Sequence, residues 1–208
     1  MTRDATWVLS VDPSCPEPGA LQRAAAALRE GKLVAFPTET FYGLGAAALD
    51  ADAVRRIFQA KGRPESKPVL VLVDSAAMVE TLAAEVPAAA RRLMAQHWPG
   101  PLTLVLRASA AVPDELTAGT GTVGVRISSH PVARGLVRAL GGPVTAPSAN
   151  PSGAEPPTTA AAVLRHFEGK IALVLDAGPT PGGLPSTVLD LTVEPARVLR
   201  QGAVRVGA

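Results

Sequence analysis

A chain of 208 residues with a net charge of +2, set by 20 basic and 18 acidic residues, has too little charge bias to be a nucleic-acid binder on bulk electrostatics. Its apolar content of 47% with only 3% aromatic residues requires a core of Val, Leu and Ala, which suits helices packed on a sheet. The sole cysteine, Cys15, excludes an internal disulfide, and with His97, His130 and His166 scattered it offers no metal-ligand spacing, so no metal site is assigned and a reducing, cytoplasmic setting is expected. The amino terminus lacks the apolar stretch of a signal peptide, and the longest run of branched aliphatic residues, 69–73, is far too short to span a bilayer.

In chain order, TWVLSV reads as a strand and GALQRAAAALREG as a helix ended by Gly31. KLVAF is the next strand, followed by a loop, FPTETFYGLG, whose Gly43 and Gly45 are expected to turn the backbone sharply. DADAVRRIFQAKG is a helix with Asp50 at its N-cap, Val54, Ile57 and Phe58 facing inward and Gly62 stopping it. PVLVLV, LTLVLRA, TVGVRI, PVTA, IALVLD, STVLDL and ARVLR are further strands, and helices are expected over 76–84, 87–97, 131–140 and 158–167. Pro87 and Pro131 suit first-turn positions, where a missing N–H is no loss. Strands alternating with helices define an α/β fold, expected as a single domain over 1–208: a twisted mixed β-sheet flanked by helices.

No phosphate-binding P-loop, no H-E-x-x-H and no G-x-S-x-G elbow is present. GLGAAA at 43–48 fits G-x-G-x-x-A. Its first glycine nevertheless falls several residues beyond the strand, and the acidic residue about 20 positions on, Glu65, follows a helix, so a dinucleotide site is disfavoured. KGRPESKP is more informative, because two of the chain's four lysines lie in these eight residues. Lys61 and Arg63, held by Pro64 at a helix end, can present a point charge and a planar fork to one polyphosphate, although cations there also offset the helix macrodipole without any ligand. TAPSANPSG places Ser148 and Asn150 directly after a short strand, either as a hydroxyl and amide aimed at a ligand or as ordinary turn residues. Arg126, on an otherwise apolar strand, must find a carboxylate or a ligand if buried, and Asp190 in STVLDL is a candidate partner. His97 and His130 are read as serving helix ends, Trp98 as a packing anchor and Tyr42 as a pocket wall. Glu39 is left unassigned between orienting a neighbour and orienting a metal-bound water.

Seven segments in order, FPTETFYGLG, IFQAKGRP, HWPGPLT, GTVGVRIS, APSANPSG, GLPSTVLD and VLRQGAV, resemble the YrdC-like family of threonylcarbamoyl-adenylate synthases. The resemblance covers nearly the whole chain and ends with the last segment, so the extra C-terminal domain of longer members is expected to be missing. It implies condensation of L-threonine, bicarbonate and ATP, with magnesium and no tightly bound cofactor, into threonylcarbamoyl-adenylate and pyrophosphate. The product would pass to the tRNA threonylcarbamoyl-transfer machinery that modifies adenosine beside the anticodon. It implies no membrane partner and leaves room for a weak contact with tRNA.

By the same resemblance Lys61 and Arg63 are the catalytic cations, and Lys61, Arg63, Lys67, Thr122, Ser148, Asn150 and Arg200 bind ATP. Thr40, Arg126 and Ser186 hold threonine. One departure is Leu72, where many members carry a histidine. No activated nucleophile is evident, so the expected chemistry is positioning and charge neutralisation rather than covalent catalysis. Two other readings are an RNA-binding module, disfavoured by the 3% aromatic content, and a related carbamoyl-adenylate activity that starts from carbamoyl phosphate.

Overall fold

A computed structural model of the protein describes residues 5–62 and 68–206. Its strands are β1 (Trp7–Ser10), β2 (Val34–Pro37), β3 (Tyr42–Gly45), β4 (Leu70–Leu72), β5 (Leu102–Arg107), β6 (Thr122–Arg126), β7 (Val144–Thr145), β8 (Leu173–Asp176), β9 (Thr187–Asp190) and β10 (Arg197–Arg200). Its helices are α1 (Pro18–Arg29), α2 (Ala51–Lys61), α3 (Ala76–Leu82), α4 (Ala88–His97), α5 (Asp114–Thr117), α6 (Pro131–Leu140) and α7 (Ala160–Phe167).

All nine apolar runs became strands. The tenth, β3, falls in the stretch read as a loop, so Gly43 and Gly45 lie within a strand and not at a sharp turn. Neither has a positive φ. Pairing of β2 with β3 explains why: the antiparallel register runs from Val34 opposite Gly45 to Pro37 opposite Tyr42, leaving residues 38–41 as the hairpin tip. The helix signals worked as capping chemistry requires. Asp50 accepts from the N–H groups of Asp52 (3.0 Å) and Ala53 (3.1 Å), and Gly62 closes α2 in the left-handed region at φ 56°. Pro131 opens α6 as expected, whereas Pro87 sits one position earlier than expected, at the N-cap of α4.

The expected mixed α/β architecture is present, with its strands hydrogen-bonded as two sheets instead of one. The first has the order β1-β8-β2-β3 and the second β10-β9-β5-β6-β4-β7. Parallel pairs (β1 with β8, β2 with β8, β5 with β9, β4 with β6) occur beside antiparallel ones in each sheet, so both sheets are mixed. The sheets are stitched together where β3 runs beside residues 143–149. Leu44 N–H donates to Pro147 O (2.8 Å), Thr145 N–H to Ala46 O (3.0 Å) and Ala149 N–H to Tyr42 O (2.8 Å). The buried Thr145 hydroxyl adds to this seam, donating to Leu44 O (3.1 Å) and accepting from Ala46 N–H (2.9 Å).

Apolar side chains bury on three fronts. Leu102, Leu104, Leu106, Val123 and Val125 of the larger sheet pack with Val79, Leu82 and Met94 of α3 and α4. Leu21, Ala25 and Leu28 of α1 meet Val132, Leu136 and Val137 of α6 over β2 and β8. Ala53 and Ile57 of α2 meet Val163 and Phe167 of α7 against Ala35, Leu44 and Val174.

Close approach at the seam fixes Gly45. A Cβ there would stand 2.9 Å from Phe36 Cε1, 3.0 Å from Val144 Cγ1 and 3.2 Å from Val34 O. Gly45→Ala is therefore expected to cost about 1–3 kcal/mol of unfolding free energy through overpacking. Urea unfolding measures it, and an unchanged midpoint would show that the seam is loose.

Candidate active site

Strand alternation builds the site. In β5 and β6, Leu102, Leu104, Leu106, Val123 and Val125 enter the core, which turns Thr103, Val105, Thr122, Gly124 and Arg126 to the opposite face of the larger sheet. That face floors a cavity of about 620 Å³, within the range of roughly 300–1,000 Å³ common for small-molecule sites. Ser186, Val188, Leu199 and Arg200 extend the floor, and the hairpin tip with Thr38, Thr40 and Tyr42 faces it from the smaller sheet. Ala146, Pro147 and Ser148, on the seam between the sheets, close one side.

Six of the ten residues singled out from the sequence line this one cavity: Thr40, Thr122, Arg126, Ser148, Ser186 and Arg200. Lys61 and Asn150 do not. Lys61, only 4% exposed, donates its ammonium protons to the backbone carbonyls of Ser148 and, at 2.5 Å, of Asn150. It holds the loop that presents Ser148 to the cavity. Asn150, also buried, donates through Nδ2 to the carbonyls of Pro151 (3.1 Å) and Ala154 (2.5 Å). Arg63 and Lys67 lie outside the described residues.

Arg126 is 2% exposed, and its partner is Glu39, not Asp190. Its Nη1 donates to Glu39 Oε1 at 2.7 Å, while the other carboxylate oxygen accepts from the Ser128 hydroxyl. Asp190 instead accepts from Thr192 and pairs with Arg197 at 3.5 Å, because β9 and β10 place those two directly opposite each other. Burial pulls the Arg126 guanidinium below its usual pKa, and the Glu39 charge opposes that shift. Arg200, on the exposed strand β10, has its pKa lowered by partial desolvation and then by the positive charge of Arg126. It carries no carboxylate partner among the described ion pairs and rests on Ser186, with Nε donating to the Ser186 carbonyl (3.0 Å) and Nη2 to its hydroxyl (2.9 Å). Thr103 completes that cluster with its hydroxyl 3.0 Å from that of Ser186. Two guanidinia thus line one cavity in which no described carboxylate takes part, an arrangement that favours an anionic ligand.

Reading the chain linearly missed Glu39, Ser128 and Thr103. Ser128 had a signal, since it lies two residues beyond Arg126 and so points the same way along the strand. His130 caps α6 as expected: Nδ1 accepts from Val132 N–H (3.2 Å), and burial pulls its pKa down, which suits that acceptor role. Trp98 packs on the first core with its Nε1 donating to Leu102 O (2.7 Å). Tyr42, fully buried, forms a wall as expected. Its hydroxyl donates to Gly178 O (2.7 Å), and burial with the Asp176 charge raises its pKa. Leu72, the departure from the resembled pattern, packs in the core with Leu28 and Phe36 and does not line the cavity.

A sheet-floored, cationic cavity between two mixed sheets defines an α/β protein whose cavity suits a small anionic ligand. The chain belongs to the Sua5/YciO/YrdC family, whose model, described as telomere recombination, matches residues 26–202. A threonylcarbamoyl-AMP synthase of Pyrococcus abyssi is 51% identical over 181 residues, covering 87% of this chain and 53% of the relative. The Bacillus subtilis protein of the same name is 45% identical over 185 residues, covering 88% of this chain and 54% of its own length. The chain therefore spans about half the length of these curated relatives. Among solved structures, that of P. abyssi Sua5 complexed with L-threonine superimposes with a TM-score of 0.92 at 48% identity, covering 95% of this chain and 58% of that one.

Two loop carbonyls depend on the Lys61 ammonium, so Lys61→Met is expected to lower the unfolding free energy by about 1–3 kcal/mol. Denaturant titration reads this directly. A wild-type midpoint in the variant would mean that the ammonium does not hold the loop.

Proposed function

We propose that this chain condenses L-threonine, bicarbonate and ATP into threonylcarbamoyl-AMP and pyrophosphate, the nucleotidyl-transfer step that precedes threonylcarbamoyl modification of adenosine in tRNA. The observation that carries this reading is the buried Arg126 guanidinium in the floor of a nucleotide-sized cavity, flanked by the hydroxyls of Thr40 and Ser186. Similarity to relatives bearing the synthase name, and to a neighbour solved with L-threonine, supports it. The lone, exposed Cys15 supports a reducing cytoplasm as its setting, and among the described residues no helix is long and apolar enough to cross a membrane.

In the proposed mechanism the threonine amine and bicarbonate combine with loss of water to give a carbamate. A carbamate oxygen then attacks the α-phosphorus of ATP, the bond to the β-phosphate oxygen breaks, and pyrophosphate leaves. Arg126 holds the amino-acid carboxylate, and Thr40 and Ser186 orient the rest of threonine. Thr122, Ser148 and Arg200 take the nucleotide side. Lys61 stabilises the charge that develops on the phosphates by holding the Ser148 loop in place, with Asn150 anchoring the far end of that loop. Arg63 and Lys67, which resemble the family's phosphate contacts, complete the cationic set.

Among the described residues no group of three or more His, Cys, Asp or Glu could hold a metal ion. Magnesium therefore fits this site as the companion of the nucleotide, bound by phosphate oxygens and water, as is usual for that ion. No protein residue is assigned to it. A mixed carbamic–phosphoric anhydride is an activated acyl donor, and the resemblance to the family implies that a tRNA-modifying transferase consumes it.

Pyrophosphate release is expected only when ATP, threonine and bicarbonate are all supplied, and omission of any one abolishes it. Release with carbamoyl phosphate in place of threonine and bicarbonate would instead assign the related carbamoyl-adenylate chemistry. Gly124→Val offers a second test. A Cβ at Gly124 meets only side chains, Thr103 Cγ2 at 3.5 Å and Val105 Cγ2 at 3.9 Å, so the fold tolerates it while the side chain fills the cavity floor. The expected variant keeps the wild-type thermal midpoint and loses at least about tenfold in kcat/KM, or roughly 1.4 kcal/mol of transition-state stabilisation. Unchanged kinetics would place the chemistry elsewhere.

A further inference from the structure

Glu39 sits at the tip of the β2–β3 hairpin, between two residues, Thr38 and Thr40, that line the cavity. Its own side chain is not part of the lining. It turns to the larger sheet, where Oε1 accepts from Arg126 Nη1 at 2.7 Å and Oε2 accepts from the Ser128 hydroxyl. Both oxygens are therefore engaged by neighbours on one face of the β6 segment, and the carboxylate is 14% exposed. The hairpin tip is held at the same time from within: the Thr38 hydroxyl donates to Phe41 O (2.7 Å) and accepts from Thr40 N–H (3.2 Å). One carboxylate thus locks the smaller sheet's hairpin onto the larger sheet's only buried guanidinium among the described residues.

We propose that Glu39 is a positioning residue. It aims the Arg126 guanidinium, and with it the adjacent Thr40, so that the cavity recognises the carboxylate of an α-amino acid. The inference rests on the reading of Arg126 given under the proposed function. A guanidinium offers its five donors in a rigid fork, so fixing Nη1 on Glu39 sets the plane of the whole group. That leaves Nε buried without a protein partner, so the guanidinium's hydrogen-bonding capacity is not exhausted by Glu39. Ser128 fixes the second oxygen and so prevents the carboxylate from rotating.

Charge alone predicts the opposite of aim. Glu39 is the one carboxylate paired with a wall that carries Arg126 and Arg200, so neutralising it raises the local positive charge and would strengthen attraction for any anion. If aim dominates, neutralising it weakens threonine binding instead. Calorimetric titration of the full chain with L-threonine separates the two, run alongside thermal midpoints and the KM for ATP. Glu39→Gln is expected to weaken threonine binding at least about tenfold while the KM for ATP stays within about threefold, since the ion pair that aims the guanidinium is replaced by a weaker hydrogen bond to a neutral amide. Glu39→Asp should fall between wild type and Glu39→Gln, and Ser128→Ala should weaken binding by a smaller factor.

Unchanged or tighter threonine binding by Glu39→Gln overturns the proposal. So does a parallel loss of threonine binding and ATP KM that tracks a fallen thermal midpoint, with Glu39→Asp no better than Glu39→Gln. If Glu39→Gln does not fold, Ser128→Ala decides: weaker threonine binding supports the role and wild-type binding removes it. Arg126→Ala separates this failure from that of the functional reading. Threonine binding unaffected by Arg126→Ala sinks both, whereas binding lost in Arg126→Ala and kept in Glu39→Gln sinks the positioning role alone.

Discussion

A buried guanidinium that must stay charged is the constraint around which this molecule is arranged. Arg126 lies on a central strand of the larger sheet, with apolar residues of the same strand entering the core on the other face. Isolated there it would be costly, because several kcal/mol are needed to desolvate such an ion without a partner. Glu39 answers that cost from the neighbouring sheet, 87 residues away in sequence. The ion pair therefore does more than neutralise a charge: it requires that the hairpin tip of one sheet stand over the face of the other, and the cavity is the space between them.

The seam between the sheets serves the same end by other means. Backbone bonds between β3 and residues 143–149, with the Thr145 hydroxyl filling the gaps in the pairing, fix where the smaller sheet stands. Gly45 is needed there because Phe36 and Val144 leave no room for a Cβ. From that seam the chain continues directly into Pro147 and Ser148, and the Lys61 ammonium reaches from the end of α2 to hold the carbonyls of Ser148 and Asn150. Loop, seam and ion pair are thus successive ways of fixing donors around one space.

Local signals in the sequence carried most of the fold. Among the described residues, nine strands and six of the seven helices follow from apolar runs, caps at Asp50 and Gly62, and the proline that opens α6, because each is decided within a few residues. β3 escaped because YGLG has no alternation and two glycines. Its strand character comes from pairing on both sides, which composition does not reveal. The candidate site divides in the same way. Residue types and order brought Thr40, Thr122, Arg126, Ser148, Ser186 and Arg200 forward, and the fold gathers them. Partners were not legible. Asp190 was as plausible a counterion for Arg126 as Glu39, and only the strand order decides: β9 and β10 give Asp190 to Arg197, while the hairpin gives Glu39 to Arg126. Lys61 shows the related difficulty of telling a ligand-facing cation from one that holds a loop, since both need the same residue at the same helix end.

Absence of an evident activated nucleophile fits an arrangement of this kind. The proposed condensation needs no covalent enzyme intermediate. It requires that a carbamate oxygen and an α-phosphorus meet in line while negative charge collects on the departing phosphates. Donors already fixed before binding, such as Arg126 on Glu39 and Arg200 on Ser186, need no reorganisation when that charge appears. Burial of Arg126 increases the effect, because a cation in a poorly solvated wall interacts more strongly with a nearby anion than the same cation in water. The cost is borne by the folded state, in which the charge of Arg126 lowers the pKa of Arg200. An anionic ligand held between the two would offset that repulsion, so the same electrostatics favour its binding.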